Sequence, residues 1–204
     1  MLDPSTDSFL VLLGNSVHPV RTWRSGSAPR VAAATHLARA VPVRPVDGHS
    51  AWFGGMASGS TATLTLPALT LGGRGSRLRC ALWWDTERSY DTVTLEASTD
   101  GGDTWQPVPF RTRRPGEEPV ERPEGTVHGF SGRVWHTVEA PLTGRHVGRP
   151  VRLRWRYTTD ERYVGRGVYV DALRVEDAGR TVFDDSRPEH ARRIEARGWT
   201  PSAD

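Results

Sequence analysis

Residues 90–108 read Tyr-Asp-Thr-Val-Thr-Leu-Glu-Ala-Ser-Thr-Asp-Gly-Gly-Asp-Thr-Trp-Gln-Pro-Val, and this stretch decides the fold. In its first half, Val93, Leu95 and Ala97 alternate with polar residues, which is the period of a half-buried strand. The Asp-Gly-Gly-Asp sequence at 100–103 then supplies residues that tolerate positive φ, and Trp105 opens a return strand. The stretch therefore predicts a β-hairpin with a tight, polar tip.

The tip of this hairpin resembles the Asp-box, Ser-x-Asp-x-Gly-x-Thr-Trp, which is matched by Ser98, Asp100, Gly102, Thr104 and Trp105. In that motif the Asp and Ser side chains accept hydrogen bonds from backbone N–H groups of the turn, and the Trp ring packs beneath it. Sialidase-like propellers carry the motif several times, whereas this sequence has it once. Because a propeller needs repeated blades, we interpret the motif as a structural turn.

The composition argues for one main domain built from strands. The 204 residues include 21 Gly, 15 Pro and eight Trp, which indicates many turns rather than long helices. All 27 basic residues are arginine, and they are dispersed among 24 acids for a net charge of +3, whereas a nucleic-acid binder would concentrate its positive charge. The single cysteine excludes an internal disulfide. No apolar run is long enough for a secretory signal or a membrane span.

Alternating segments continue on both sides of the hairpin. They predict strands at 61–66, 77–84, 151–157 and 168–175, with shorter strands at 49–53, 135–138 and 181–183. Residues 111–128 are charged, rich in proline and without apolar periodicity, and they predict an exposed, mobile loop. About eight strands joined by Gly and Asp turns predict an all-β fold, an antiparallel β-sandwich of jelly-roll type, with a closed barrel as the alternative.

The sequence divides into three predicted parts. Residues 1–45 form an N-terminal strand or linker segment, residues 46–185 the sandwich, and residues 186–204 a charged C-terminal tail. Within the first part, the apolar run at 9–13 predicts a buried strand. A short helix at 31–34, capped by Ser27, and a strand at 37–43 are alternatives for the residues that follow.

Several short motifs occur along the sequence in an order that is typical of one protein family. They are Gly-His-Ser-Ala-Trp-Phe-Gly-Gly at 48–55, Trp-Trp-Asp-Thr-Glu at 83–87, the turn at 98–105, Gly-Phe-Ser-Gly at 129–132, Arg-Trp-Arg-Tyr-Thr-Thr-Asp at 154–160 and Gly-Val-Tyr-Val-Asp at 167–171. Together they resemble the jelly-roll accessory domain of immune inhibitor A-type secreted bacterial metallopeptidases, which is related in architecture to MAM domains. The resemblance covers about residues 46–185, and residues 183–200 resemble the segment that follows it.

The resemblance implies a non-catalytic accessory domain of a secreted, multidomain peptidase or other hydrolase. Its role would be structural or substrate-positioning, and its partners would be neighbouring domains of a longer chain and a glycan or protein substrate. The His-Glu-x-x-His motif that holds zinc in those peptidases is absent from the sequence, so we expect neither zinc nor enzymatic activity.

Two functions of other classes compete with this interpretation. A lectin-like carbohydrate-binding module would use Trp83, whose parity is opposite to the apolar face of 78–84, to stack on a sugar ring. A small glycosidase would use a pair of carboxylates from Asp85, Glu87 and Asp91, although no spacing rule supports a particular pair.

Asp171 lies in the middle of a predicted apolar strand, where an unpaired carboxylate is costly to bury. The resemblance implies that this acid contributes to a structural calcium site, with Asp47 as a second oxygen ligand. Ala172 stands where the family usually has another acid, which favours the alternative of a hydrogen-bonded or Arg-paired Asp171. Asp160 is a further candidate for a buried acid, and we interpret it as a turn cap rather than a ligand.

Overall fold

Fifteen strands form the described part of this protein. The computed structural model describes residues 43–47, 49–73 and 75–203. All of these strands belong to one compact unit, Arg44–Asp204. The elements predicted at 9–13 and 31–34, and all but the last residue of the one at 37–43, lie outside the described residues.

The strands are short and follow one another closely along the chain. In chain order they are β1 (Ala51–Phe53), β2 (Thr61–Thr65), β3 (Leu69–Thr70), β4 (Arg77–Asp85), β5 (Thr92–Ser98), β6 (Gln106–Pro107), β7 (Phe110–Arg113), β8 (Val120–Arg122), β9 (Thr126–Val127), β10 (His136–Pro141), β11 (Pro150–Thr158), β12 (Gly167–Asp177), β13 (Arg180–Asp184), β14 (Glu195–Arg197) and β15 (Thr200–Ser202). A 3₁₀ turn at Gly144–His146 and a four-residue helix at Pro188–Ala191 complete the described elements.

The strands form two antiparallel sheets. The first sheet has the order β15-β1-β12-β4-β10-β7-β8, and β13 also pairs with β12. The second sheet has the order β14-β2-β11-β5-β6, with β3 on β11 and β9 on β5. The chain passes repeatedly from one sheet to the other, since β1, β4, β10 and β12 lie in the first and β2, β5 and β11 in the second. This is the wrapping of a jelly roll, and the predicted all-β sandwich is confirmed.

One apolar core lies between the two sheets. Leu78 and Leu82 of β4 point into it from the first sheet, and Leu95 of β5 and Trp155 of β11 point into it from the second. All four are fully buried, and the Trp155 ring meets Phe110 edge-on with centroids 5.5 Å apart. Because burying one such side chain stabilises a fold by about 1.5–3 kcal/mol, the alternation in the sequence is sufficient to place these strands.

Residues 111–128 are not the mobile loop that the sequence predicted. They contain most of β7 and all of β8 and β9, and β7 pairs with β8 through Phe110 opposite Arg122 and Arg111 opposite Glu121. The side chains of Val120 and Glu121 are exposed, because β8 is the outermost strand of the first sheet. Backbone hydrogen bonds rather than apolar burial attach β8, and they leave no periodic signal in its sequence.

Residues 186–204 are not an appended tail, because they add a strand to each sheet. Residues of β14 pair with β2 in the second sheet, and residues of β15 pair with β1 in the first. Between these two strands Gly198 adopts a φ of 74°, and the ring of Trp199 enters the core, where it is 4% exposed. This segment, which we call the closing segment (residues 195–202), therefore spans the edge between the sheets.

Candidate functional site

Asp171 lies on the outer face of the first sheet, directly before a β-bulge in β12. Opposite β4, the register shifts between Asp171, which faces Ala81, and Arg174, which faces Arg79. Ala172 takes up the extra residue with a φ of 51°, a conformation uncommon for a residue with a side chain. The Asp171 side chain points away from the core, yet it is only 1% exposed.

Backbone N–H groups surround the Asp171 carboxylate. Val46 donates to Oδ2 at 2.5 Å, and Ala172 donates to Oδ1 at 2.7 Å. Burial raises the pKa of Asp171, while these N–H groups and that of Asp47 favour the charged form and limit the rise. This is the hydrogen-bonded alternative of the sequence analysis, and Asp171 thereby fixes the chain at Val46 over the sheet.

Two further acids lie within electrostatic range of Asp171. Asp47 raises its pKa, and Asp185, which follows β13, has a pKa raised to about 7 by burial and by the charges of Asp171, Asp184 and Asp47. Carboxylate oxygens have a second lone pair, so N–H donors leave capacity for a cation. Asp47, Asp171 and Asp185 are therefore ligands of the type that calcium takes, but they form an incomplete set. Among the described residues, no group of three or more His, Cys, Asp or Glu side chains is arranged to hold a metal ion.

The turn at 98–105 has the hydrogen bonds expected of its sequence. Ser98 Oγ accepts the N–H of Gly102 at 2.8 Å, and Asp100 Oδ1 accepts the N–H of Thr104 at 3.0 Å. The Asp100 carboxylate also accepts the Thr104 hydroxyl, and hydrogen bonds from Ser98 and Thr104 hold its pKa well below its usual range. Trp105 Nε1 donates to Gly102 O at 2.9 Å. All these bonds lie within the turn, and its assignment as an Asp-box stays a prediction.

Trp83 lies on the outer face of the first sheet, as its parity indicates, but its ring is buried. The residue is 5% exposed, and its ring meets Tyr169 edge-on with centroids 5.6 Å apart. Tyr169 in turn stacks on Phe53 at 4.6 Å, and the Arg166 guanidinium lies 6.0 Å from the Trp83 ring. A ring packed in this way has no free face for a sugar. The stacking role stays a prediction that this burial does not favour.

The acids after Trp84 hold the loops at one end of the sandwich. Asp91 is fully buried, with Oδ2 accepting the N–H of Glu87 and Oδ1 the N–H of Asp160, both at 3.1 Å. Asp160 Oδ1 accepts the N–H of Arg162 at 2.9 Å, the arrangement of a turn cap. Burial raises the pKa of Asp85 and of Asp91. Because Asp91 uses both oxygens to join two loops, its geometry is that of a structural acid.

A groove of about 540 Å³ lies on the outer face of the first sheet. Its polar side chains are Arg79 of β4, Arg111 and Arg113 of β7, and Thr137 and Glu139 of β10. Its remaining walls are small or aliphatic and consist of Val46, Cys80, Ala81, Pro119, Val138 and Ala172. We call this feature the arginine groove.

The arginine groove and the position of Asp185 beside Asp171 were not predictable from the sequence. Arg111 and Arg113 have the outward parity of one strand, but their region carried no strand signal. Asp185 was noted only as part of a motif, and its neighbours in space come from distant parts of the chain. The register of the strands places Arg79 opposite Glu139. In the same way, it brings the end of β13 close to Asp171 of β12.

Two antiparallel sheets wrapped as a jelly roll make this protein a jelly-roll β-sandwich domain. Residues 27–203 match the family model described as "Immune inhibitor A-like, MAM domain". The chain belongs to this family, and the predicted resemblance is confirmed. A search of the curated proteins finds no significant match. In the part of the chain that the structure describes, no helix is long and apolar enough to cross a membrane.

Proposed function

We propose that this chain is a non-catalytic accessory domain of a secreted peptidase, which supports the catalytic domain and positions protein substrates. The observation that carries the proposal is the family match over residues 27–203. The arginine groove adds to it, because a wide recess on a rigid sheet face offers a surface that another polypeptide could occupy. Neighbouring domains of a longer chain are the first partners that this role requires.

The proposal is tested on the parent protein purified from culture medium, with and without residues 27–203. We expect an antibody against the domain to detect a product larger than 22.6 kDa in the medium. Removal of the domain should raise KM for a protein substrate or lower the melting temperature of the peptidase, while kcat for a short peptide stays unchanged. If deletion changes none of these quantities, or if the isolated chain itself hydrolyses peptides, the proposal is wrong.

We propose separately that calcium binds at Asp171 and Asp47, with Asp185 beside them. The observation in favour is the closeness of these acids. Burial first, and then the charges of Asp171, Asp184 and Asp47, raise the pKa of Asp185 to about 7, and a divalent cation would relieve the repulsion among them. By mass action, calcium at a hundredfold excess over its Kd should then raise the free energy of unfolding by about 2.7 kcal/mol. The melting temperature should rise accordingly.

The calcium proposal is tested by thermal melts of the wild type, Asp171→Asn and Asp103→Asn in chelator and in millimolar calcium. Asp103 is an exposed acid in the 98–105 turn and serves as the matched control. We expect a calcium-dependent rise in the wild type and the control that Asp171→Asn loses. Identical melting of the wild type with chelator and with calcium would leave Asp171 as a hydrogen-bonded structural acid.

A further inference from the structure

We infer that the arginine groove binds carboxylate side chains of an extended acidic peptide segment, and so selects the substrates that this domain positions. The inference rests on the proposed function, since it names the chemical class of the polypeptide that the domain would hold. It follows from the charge of the groove, the spacing of its arginines and the nature of its walls.

The groove has an excess of positive charge. Glu139 is its only acidic wall residue and is shared by two arginines: Oε2 accepts Arg79 Nη2 at 2.9 Å, and Oε1 accepts Arg111 Nη2 at 2.5 Å. Burial would raise the pKa of Glu139, but the two arginines outweigh it and lower that pKa, so the bridge is ionic. Arg79 also donates to Glu139 through Nε, and its Nη1 lies 3.7 Å from Glu176 Oε1, whereas Arg111 keeps further N–H donors.

Arg113 has no counter-charge in the described structure. Its guanidinium makes no hydrogen bond or ion pair with any described residue, while Arg111, two residues earlier, is held by Glu139. The acid nearest on β8, Glu121, pairs in register with Arg111 and does not line the groove. The groove therefore presents one fixed and one free arginine on the same face of β7, and an anion would complete the pairing.

The spacing of these two arginines matches an extended peptide. Residues two apart on a strand point to the same face and lie about 6.6 Å apart. Two acidic residues separated by one residue in an extended peptide have the same spacing, so both carboxylates can meet Arg111 and Arg113 at once. Adjacent acids point to opposite faces and cannot. Arginine is suited to this task because its planar fork binds a carboxylate through two parallel hydrogen bonds.

The walls favour a peptide over a sugar or a nucleic acid. None of the residues that line the groove is aromatic, so neither a sugar ring nor a base finds a stacking partner there. Val46 and Pro119 instead offer aliphatic contacts to peptide side chains. Val46 is 53% exposed, and its backbone is fixed by Asp171, which makes this wall both apolar and rigid.

The test measures binding of short capped peptides to the full chain by fluorescence anisotropy at low and at physiological salt. The probes are alanine–serine peptides with two glutamates separated by one residue, the same peptide with adjacent glutamates, and a version with glutamines. The protein variants are Arg113→Gln and, as the matched control, Arg149→Gln. Arg149 is exposed immediately before β11 of the second sheet, and it does not line the groove.

We expect the spaced-glutamate peptide to bind more tightly than the other two probes. Loss of a hydrogen bond between charged groups weakens binding by roughly tenfold, so Arg113→Gln should do so while Arg149→Gln changes little. Because the Arg113 side chain has no hydrogen bond or ion pair with the described residues, its variant should melt like the wild type, and weaker binding cannot then be attributed to unfolding.

Four results would overturn the inference. They are the absence of binding at millimolar peptide, equal binding of the glutamate and glutamine peptides, equal losses in Arg113→Gln and Arg149→Gln, and tighter binding of an oligouronate than of any peptide. These results leave the role of the domain within its parent peptidase untouched, because that role is measured by deleting the whole domain. Failure of the inference and failure of the proposed function are thus separable.

Discussion

Removing Glu96 should destabilise the second sheet more than removing any exposed acid. Glu96 is 5% exposed in β5, and its Oε2 accepts Arg154 Nε at 2.7 Å. Its Oε1 accepts Nε and Nη2 of Arg156 at 3.0 and 2.9 Å. The Arg154 guanidinium also lies 3.9 Å from the centroid of the Trp105 ring. One carboxylate therefore bridges two neighbouring arginines on the outer face of β11, one of which lies over the Trp105 ring of the hairpin.

The size of the stability loss depends on how far the two arginines remain exposed to water once Glu96 is removed. Breaking a buried ion pair costs about 3–5 kcal/mol, because a charge is left without a partner. The side chains of Arg154 and Arg156 are 20% and 31% exposed, so water recovers part of this loss. We expect Glu96→Ala to lower the free energy of unfolding by about 3 kcal/mol, at the low end of that range. For a domain of this size the melting temperature falls by roughly 6–12 °C.

Urea unfolding at several pH values tests both the size of this stability loss and its electrostatic cause. Burial would raise the pKa of Glu96, but its bonds to Arg156 and Arg154 lower it overall. A lowered pKa means that the stabilisation is fully present above the unfolded value of about 4.3 and is lost as pH falls through the folded value. The gap between wild type and Glu96→Ala should therefore narrow below about pH 4. Glu118→Ala, at an exposed site in the β7–β8 connection, is the control. A gap under about 0.5 kcal/mol, or one unchanged in acid, would refute the argument.

Two other substitutions test local parts of the fold. Trp199→Ala should lower the free energy of unfolding by about 3–5 kcal/mol in the same urea titrations, because it empties a core position between the two sheets. A loss below about 1 kcal/mol would show that the closing segment does not seal the core. Asp100→Ala should increase amide hydrogen exchange at Thr104 by removing its acceptor, with Asp103→Ala as the control. Unchanged exchange would mean that the carboxylate does not hold the turn in solution.

Strands with one buried face were predictable from the sequence, and strands at the sheet edges were not. The alternation at 77–84 and 151–157 comes within one residue of β4 and β11 at each end, because these central strands bury alternate side chains. The strands β8 and β14 have almost no buried side chain, since backbone pairing alone attaches them. Their sequences therefore carry no period, and they were interpreted as loop and tail.

The candidate sites depended on contacts between distant residues. The position of Asp171 in an apolar strand was enough to single it out, because a carboxylate in such a run needs partners. Its hydrogen-bond donor Val46 and the neighbouring acid Asp185 could not be found from spacing, since strand register decides which chain segments lie beside the bulge. Likewise, the parity of Trp83 gave the correct sheet face but not the burial of its ring, which depends on neighbours such as Tyr169.

Folding of the two sheets can be completed only after the closing segment has been synthesised. Until residues 195–202 have been synthesised and have docked, β2 and β1 both expose an unpaired edge, the feature through which partly folded chains associate. Pairing such as Trp52 with Pro201 also joins residues far apart in sequence, which slows folding. The late arrival of two short strands would thus prolong the period in which this domain is prone to aggregate, and a chaperone that shields these edges would act before Trp199 enters the core.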